Sequence, residues 1–350
     1  MLDINSCKVS VSLSIKDAVK KMDEAGIGFC VCVDDQGKVF GVMSDGDFRR
    51  AVLKGHSLED CVERIINKEF CQVDSNFRPD EIEKIFSVSE IQHVPVIDDG
   101  NLIDIITQES FYGFQRENIR SQVDNPVVIM AGGKGKRMDP FTRVLPKPLL
   151  PIGDEPIIKV IMDQFNKFGM DNFYISLNDK GRMVKAYFHD LDSPYSIKFI
   201  EEEQPLGTAG ALKYLEGEFN VPFFVSNCDI ILRTDYSEIL DFHVDGSYAL
   251  TLIGSIRHYK IPYGVCDIGD GGELRGIREK PEYDFLVNTG VYLINPIVLK
   301  FLSENTHCDM PDLIEKVQAN ELKVGVFPVS EKSWSDVGQW PEYQETVKNF

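Results

Sequence analysis

The sequence has too little positive charge to bind nucleic acid or an anionic membrane. Its 37 Lys and Arg stand against 56 Asp and Glu, a formal net charge of −19, and both kinds of partner need a basic face. Long apolar runs are missing: none approaches the roughly 18–20 residues that span a bilayer. The segment from Met1 to Lys8 contains Asp3 and lacks a basic stretch followed by an apolar one. No secretory signal is therefore expected, and a cytoplasmic location is. The eight cysteines (7, 30, 32, 61, 71, 228, 266 and 308) include no C-x-x-C pair. They read as reduced thiols rather than a disulfide framework. Cys30 and Cys32 would share one strand face, with no His or second Cys pair nearby in sequence to complete a metal site. What is present is ordinary: hydrophobic residues at 43% and aromatics at 10% exclude wholesale disorder. At about 100–200 residues per domain, 350 residues predict two domains or three.

The acidity is broken once. Residues 1–125 hold 14 basic and 23 acidic side chains, net −9; residues 126–350 hold 23 and 33, net −10. Within the second part, Val127 to Gly153 carries Lys134, Lys136, Arg137, Arg143 and Lys147 against Asp139 alone, net +4. That island also carries glycines in a short loop, which points to an anion site. Phe111 to Arg120 reads as a polar helix. Asp124-Asn125-Pro126 is a breaker, so a boundary is expected near Ser121–Pro126. Val127 to Ala131 then forms an apolar run of buried-strand type.

The first part is internally doubled. Residues 14–53 predict a helix (Ile15 to Ala25), a strand (Phe29 to Val33), the turn Asp34-Asp35-Gln36-Gly37, a strand (Val39 to Met43) and a helix (Asp45 to Leu53). Residues 76–114 repeat the order: helix Pro79 to Val88, strand His93 to Ile97, turn Asp98-Asp99-Gly100-Asn101, strand Leu102 to Ile106, and a helix from Gln108. Asp-Gly-type turns between two apolar runs are a strong hairpin signal. This doubled unit resembles a pair of CBS domains, with copies at about 8–56 and 70–118. The resemblance implies a nucleotide site in which a Ser or Thr, and an Asp three residues later, hold phosphate and ribose; Ser44 and Asp47 match. An Asp can accept from both ribose hydroxyls, and a Ser hydroxyl can donate to phosphate. The alternative for Asp47 is a helix cap. In the second copy, Thr107-Gln108-Glu109-Ser110, the Asp is replaced by Ser110.

The second part opens on Ala131-Gly132-Gly133-Lys134-Gly135-Lys136-Arg137-Met138. Consecutive glycines let backbone N–H groups turn toward one anion. No G-K-[ST] ends the loop, and Met138 stands where a dinucleotide fingerprint has its third glycine, so it is neither of those motifs. Leu145-Pro146-Lys147-Pro148-Leu149 follows; the prolines fix the backbone around the lysine, so its ammonium can be aimed. These residues closely resemble the sugar-1-phosphate nucleotidyltransferases. Further segments fit in order: Glu202 to Gly210 as the base-reading loop, Phe223 to Asp229 as the strand ending in a metal carboxylate, Arg278-Glu279-Lys280-Pro281 with Asn288-Thr289-Gly290 as the sugar site, and Trp334 to Gly338 as the second metal carboxylate. Cys228 departs from the glycine of many members, which would alter the approach of the ribose.

The resemblance implies roles. Gly132, Gly133 and Gly135 would cradle the triphosphate, with Glu202, Gly207 and Thr208 also on the nucleotide. Arg137 would stabilise the leaving pyrophosphate, and Lys147 would bridge the α-phosphate and the sugar phosphate. Asp229 and Asp336 would hold Mg2+. Gly264, Glu279, Lys280 and Asn288 would line the sugar-phosphate site, with Lys280 pairing with the phosphate and Glu279 accepting from sugar hydroxyls. Uridylyl-transferring relatives carry Gln where Glu202 stands. A carboxylate only accepts, which suits the adjacent N1–H and 2-amino donors of guanine, so GTP is expected. A CBS pair before a short transferase domain resembles the bacterial glucosamine-1-phosphate guanylyltransferases that serve legionaminic acid synthesis. Mannose 1-phosphate, and a UTP- or dTTP-using glucose-1-phosphate enzyme, remain open. So do an alditol-phosphate cytidylyltransferase and a nucleotide sensor with an inactive transferase domain.

The expected fold is α/β throughout. A CBS pair over 1–120 precedes a Rossmann-like, mixed, mainly parallel sheet of GT-A-like type over 126–350, with the site at the strands' carboxyl ends. Pro156 to Phe168 and Met183 to His189 would supply crossover helices. The expected partners are a nucleoside triphosphate, a sugar 1-phosphate, a regulatory nucleotide at the CBS pair and further copies of the chain.

Overall fold

The computed structural model describes residues 3–88, 91–112, 123–178, 180–191 and 194–349. The chain divides into two compact units, Met1–Ile119 and Arg120–Phe350. Of the helix expected over 111–120, the part beyond Tyr112 lies outside the described residues, as do positions 121 and 122 of the expected boundary.

In the first unit the alternation of apolar runs and Asp-Gly turns yields β1 (Lys8–Ser10), α1 (Ile15–Ala25), β2 (Phe29–Val33), β3 (Val39–Ser44) and α2 (Asp45–Leu53). The second half follows with α3 (Pro79–Val88), β4 (His93–Asp98), β5 (Asn101–Thr107) and α4 (Gln108–Tyr112). Helix α1 starts where the Ser14 hydroxyl accepts from Asp17 N–H, and stops at Gly26, whose φ of 76° favours glycine. Its Ile15, Ala18, Val19 and Met22 recur at helical spacing and are buried. β1 lies parallel to β2, β2 antiparallel to β3, and β4 antiparallel to β5. The two hairpin turns meet: Val39 N–H donates to Gly100 O at 2.8 Å, and Lys38 Nζ donates to Asp99 O. Cys30 and Cys32 are fully buried, as core apolar residues would be.

The second unit comprises β6 (Val127–Met130), β7 (Pro151–Ile152), β8 (Glu155–Pro156), α5 (Ile157–Asn166), β9 (Asn172–Leu177), α6 (Gly181–Asp190), β10 (Ser196–Glu201), β11 (Phe223–Asn227), β12 (Ile230–Leu232) and α7 (Tyr236–Asp245). Then come β13 (Leu250–Lys260), β14 (Val265–Ile268), β15 (Leu274–Arg278), β16 (Glu282–Ile294), α8 (Met310–Ala319), β17 (Val324–Val329), β18 (Trp334–Asp336) and α9 (Trp340–Asn349). Among the described residues the main sheet has seven strands, ordered β10-β9-β6-β11-β16-β13-β17. β10, β9, β6 and β11 run parallel, β16 is antiparallel to both neighbours, and β17 is parallel to β13. The sheet is thus mixed and mainly parallel, as the sequence predicts.

Apolar residues on both faces of the strands explain why the sheet is covered on both sides. Val127 and Ile129 of β6 join one core layer with Ile158, Phe165 and Phe224. Val128 and Met130 join the opposite layer with Leu212, Leu250 and Leu313. From β6 the chain moves to β9 and β10 on one side and later returns to β11 on the other. That reversal opens a crevice beyond the carboxyl ends of β6 and β11, where such sheets bind ligands. No described helix is long and apolar enough to cross a membrane.

Candidate active site

Asp229 lies between β11 and β12, two residues past the end of β11, and Asp336 ends β18. Their meeting is a strand-pairing event: β12 and β18 are antiparallel, with Ile230 opposite Asp336, and Val337 N–H donates to Asp229 O at 2.9 Å. Gly338 marks the point where the side chains converge. A Cβ there would strike Asp229 Oδ2, and would stand 2.8 Å from Asp336 Oδ1 and 2.9 Å from Lys147 Nζ. Only glycine leaves that space open. Lys147 is buried, follows Pro146 in a short 3-10 turn, and pairs its ammonium with Asp229. Asp336 also accepts from Gly338 N–H at 2.7 Å. Burial raises the Asp336 carboxyl above its ordinary value; the Gly338 N–H opposes this, Asp229 adds to the rise, and Lys147 and Arg137 pull it down. Arg137 therefore acts on the same cluster as the two carboxylates. The donor set suits a hard cation: two converging carboxylates, mostly buried, with an ammonium beside them. Among the described residues no group of three or more His, Cys, Asp or Glu side chains is placed to hold a metal.

The glycine loop leaves β6 and turns at Gly135, which has φ 64° and begins the turn Lys136–Met138 carrying Arg137. A Cβ on Gly135 would lie 2.8 Å from Thr142 Cγ2 and 3.2 Å from Lys147 Cβ. Gly133 has open space around it, whereas a Cβ on Gly132 would run into the Glu202 carboxylate. Gly132 thus has a second reason to be glycine, one the sequence did not suggest. Glu202 is buried; its Oε1 accepts from Ser176 Oγ at 2.6 Å and its Oε2 from Leu206 N–H at 3.1 Å. A carboxylate offers about four lone-pair sites, so two remain.

Thr208 and Gly207, expected at the nucleotide, are structural in their visible contacts. Thr208 N–H donates to Asp309 Oδ1 at 3.0 Å, and its hydroxyl accepts from Met310 N–H at 2.8 Å. Gly207 has φ 78° and leaves room for Cys308 O. The loop is therefore docked on the start of α8, a contact across a hundred residues that spacing could not reveal. Ser176 and Thr142 were missed likewise, being ordinary hydroxyl residues in the sequence. Gly338 was visible in its motif but had no role assigned.

The sugar-side residues form a separate group on the long β13–β16 arm. Gly264 comes within 3.1 Å of Glu279 Oε2, measured from its would-be Cβ. Lys280 has φ 44° and lies 4.0 Å from Glu279; both are exposed. Asn288 Nδ2 donates to Tyr292 OH at 2.7 Å, and its Oδ1 accepts from Gly290 N–H at 2.9 Å. Gly290 leaves space for Asn227, two residues before Asp229, which ties this arm to the carboxylate cluster. Cys228 sits in the core layer with Phe224 and Val337, and burial pushes its thiol up to about 12. Its side chain is spent on packing, so the expected effect on ribose approach finds no support in its position.

Ser44 and Asp47 form a reciprocal cap on α2. Ser44 N–H and Oγ donate to Asp47 Oδ2 at 2.9 and 2.7 Å, and Asp47 N–H donates to Ser44 Oγ at 3.3 Å. Asp47 also pairs with Arg50. The capping alternative accounts for every bond between Ser44 and Asp47.

The protein-family model described as Nucleotidyl transferase matches residues 126–350, and the CBS domain model matches residues 5–54. The chain is 30% identical over 226 residues to a mannose-1-phosphate guanyltransferase of Saccharomyces cerevisiae, covering 61% of each. It is 26% identical over 243 residues to a UTP–glucose-1-phosphate uridylyltransferase of Synechocystis, covering 63% of this chain and 62% of that protein. It thus spans about three fifths of the curated relatives it matches. HddC from Yersinia pseudotuberculosis shares the fold, with a TM-score of 0.52, 23% identity, and coverage of 65% of this chain and 99% of that one. With a match running from the first strand of the large sheet to the last residue, the chain belongs to the nucleotidyl transferase family.

Proposed function

We propose that the chain is a sugar-1-phosphate nucleotidyltransferase that takes its nucleotidyl group from GTP, passes it to glucosamine 1-phosphate and releases pyrophosphate. The observation that carries this reading is the convergence of Asp229, Asp336 and Lys147 on the space kept open by Gly338. A phosphate oxygen of the sugar 1-phosphate would bond to the α-phosphorus as the bond from that phosphorus to the bridging oxygen breaks. Pyrophosphate leaves with the electron pair, and no proton need move. Both reactants are polyanions, so the residues' task is to gather charge and align it. Lys147 would hold the attacking and central phosphates together, Arg137 the departing pyrophosphate, and Lys280 the sugar phosphate. Asp229 and Asp336 would hold Mg2+, which when bound neutralises phosphate charge. Glu202 would read guanine through its two unused lone-pair sites.

Mannose 1-phosphate is the second reading, favoured by the likeness to the yeast guanyltransferase. A regulatory nucleotide at the first CBS copy belongs to the same proposal; it would have to displace the Arg50 and Ser44 contacts of Asp47. The deciding experiment is a matrix of four nucleoside triphosphates against glucosamine, mannose and glucose 1-phosphates with Mg2+, read as pyrophosphate. GTP with glucosamine 1-phosphate should turn over fastest. A preference for UTP or dTTP would overturn the reading of Glu202, and silence in every well would overturn the activity.

A further inference from the structure

Lys180 precedes α6 with φ 54° and ψ 22°, in the left-handed region, and its side chain makes no cap bond to that helix. A residue with a Cβ carries a backbone cost there that glycine would not. Non-glycine residues persist in such conformations where the surroundings over-determine them, and they cluster at functional sites. The Lys180 side chain spans from the carboxyl end of β9 to the glycine-loop segment, where Nζ donates to Thr142 O. Thr142 is buried; its hydroxyl donates to Gly135 O at 2.9 Å. Met138 N–H donates to the same Gly135 O at 2.9 Å, closing the turn that carries Arg137. A continuous series of bonds therefore runs from Lys180, ahead of α6, through Thr142 and Gly135 to Met138, closing the turn in which Arg137 lies. Just after β9, Asn178 Nδ2 donates to Glu202 O at 2.7 Å, so Asn178 and Lys180 together tie down two nucleotide-side elements.

We propose that Lys180 is a positioning residue for the nucleoside triphosphate: it holds the 135–142 segment, and with it Arg137, in the form that receives phosphate. The inference rests on the nucleotidyl-transfer reading for its kinetic consequence, but not for its structural one. Lys180→Gly removes the side chain and the backbone cost together. This variant should melt no lower than the parent, yet its amides at 133–143 should exchange with deuterium faster in the ligand-free protein. Its KM for GTP should rise by about tenfold, the scale of losing a hydrogen bond from a charged group. Its KM for the sugar 1-phosphate should stay within about twofold of the parent's. Lys180→Arg keeps the cation and should recover most of the loss. Unchanged exchange at 133–143 in Lys180→Gly would overturn the proposal even if the protein proved inactive with every substrate. So would an equal rise in both KM values, or a failure of Lys180→Arg to rescue.

Discussion

At the scale of single residues, the site is defined by where side chains are absent. Gly338 has no φ requirement, since it is not among the positive-φ glycines; its necessity is spatial, because three charged groups surround the place a Cβ would take. Gly338→Ala should therefore lower kcat by about a hundredfold, the order expected when catalytic groups shift by about an ångström. The melting temperature should stay close to the parent's, which calorimetry would check. Asp229→Asn keeps shape but removes charge, so it should also raise the Mg2+ concentration needed for half-maximal rate; an unchanged Mg2+ dependence would exclude Asp229 as a metal ligand. Asp229, Asp336 and Lys147 were legible because each stands in a short motif with a chemical reason. Ser176, Thr142 and Lys180 were not, because each gains its meaning from a contact made only in the fold: Ser176 with Glu202, 26 positions on, and Thr142 with Lys180, 38 positions on.

At the scale of elements, the doubled unit was legible almost to the residue. Hairpin turns and helix caps are local, so spacing alone dictates them. The caps themselves repeat: Ser44 and Asp47 bond reciprocally ahead of α2, and Thr107 and Ser110 do the same ahead of α4, at 3.0 and 2.9 Å. The replacement of Asp by Ser in the second copy thus preserves the cap while changing its chemistry. Ser44→Ala should cost about 1 kcal/mol, seen as a lower urea midpoint with an unchanged slope. No change in midpoint would mean that Asp47 and Arg50 hold α2 without the hydroxyl. The β12–β18 pair was illegible for the opposite reason. Each strand has three residues, too short for a periodic signal, and the partners lie more than a hundred positions apart.

At the scale of the molecule, each compact unit holds a histidine whose surroundings favour the neutral ring, half-buried His93 in the first and buried His243 in the second. In the first unit His93 of β4 stacks on Phe29, ring centres 4.9 Å apart at 12°, and burial lowers it to about 4. In the second, His243 of α7 is 2% exposed, with Nδ1 2.8 Å from Thr251 Oγ1 and a buried Nε2 that has no hydrogen-bond partner among the described residues; burial lowers it too to about 4. The direction of the effect follows from linkage. In the unfolded chain these rings take up a proton below about pH 6.5, while in the folded chain they resist until about pH 4. Their contribution to stability is whole above the upper value and is lost as pH falls toward the lower one. For His243 the loss approaches about 3 kcal/mol across that window. His243→Gln, which cannot titrate and can still meet the Thr251 hydroxyl, should flatten the fall in unfolding free energy between about pH 7 and about pH 4.5. His93→Leu should flatten it separately, because the two rings belong to different compact units and each makes its own contact, His93 with Phe29 and His243 with Thr251. Denaturant unfolding of the parent, both single variants and the double variant at each pH would test this. A double variant as acid-sensitive as the parent would place the sensitivity in the carboxylates instead, and the two histidines would be neutral bystanders.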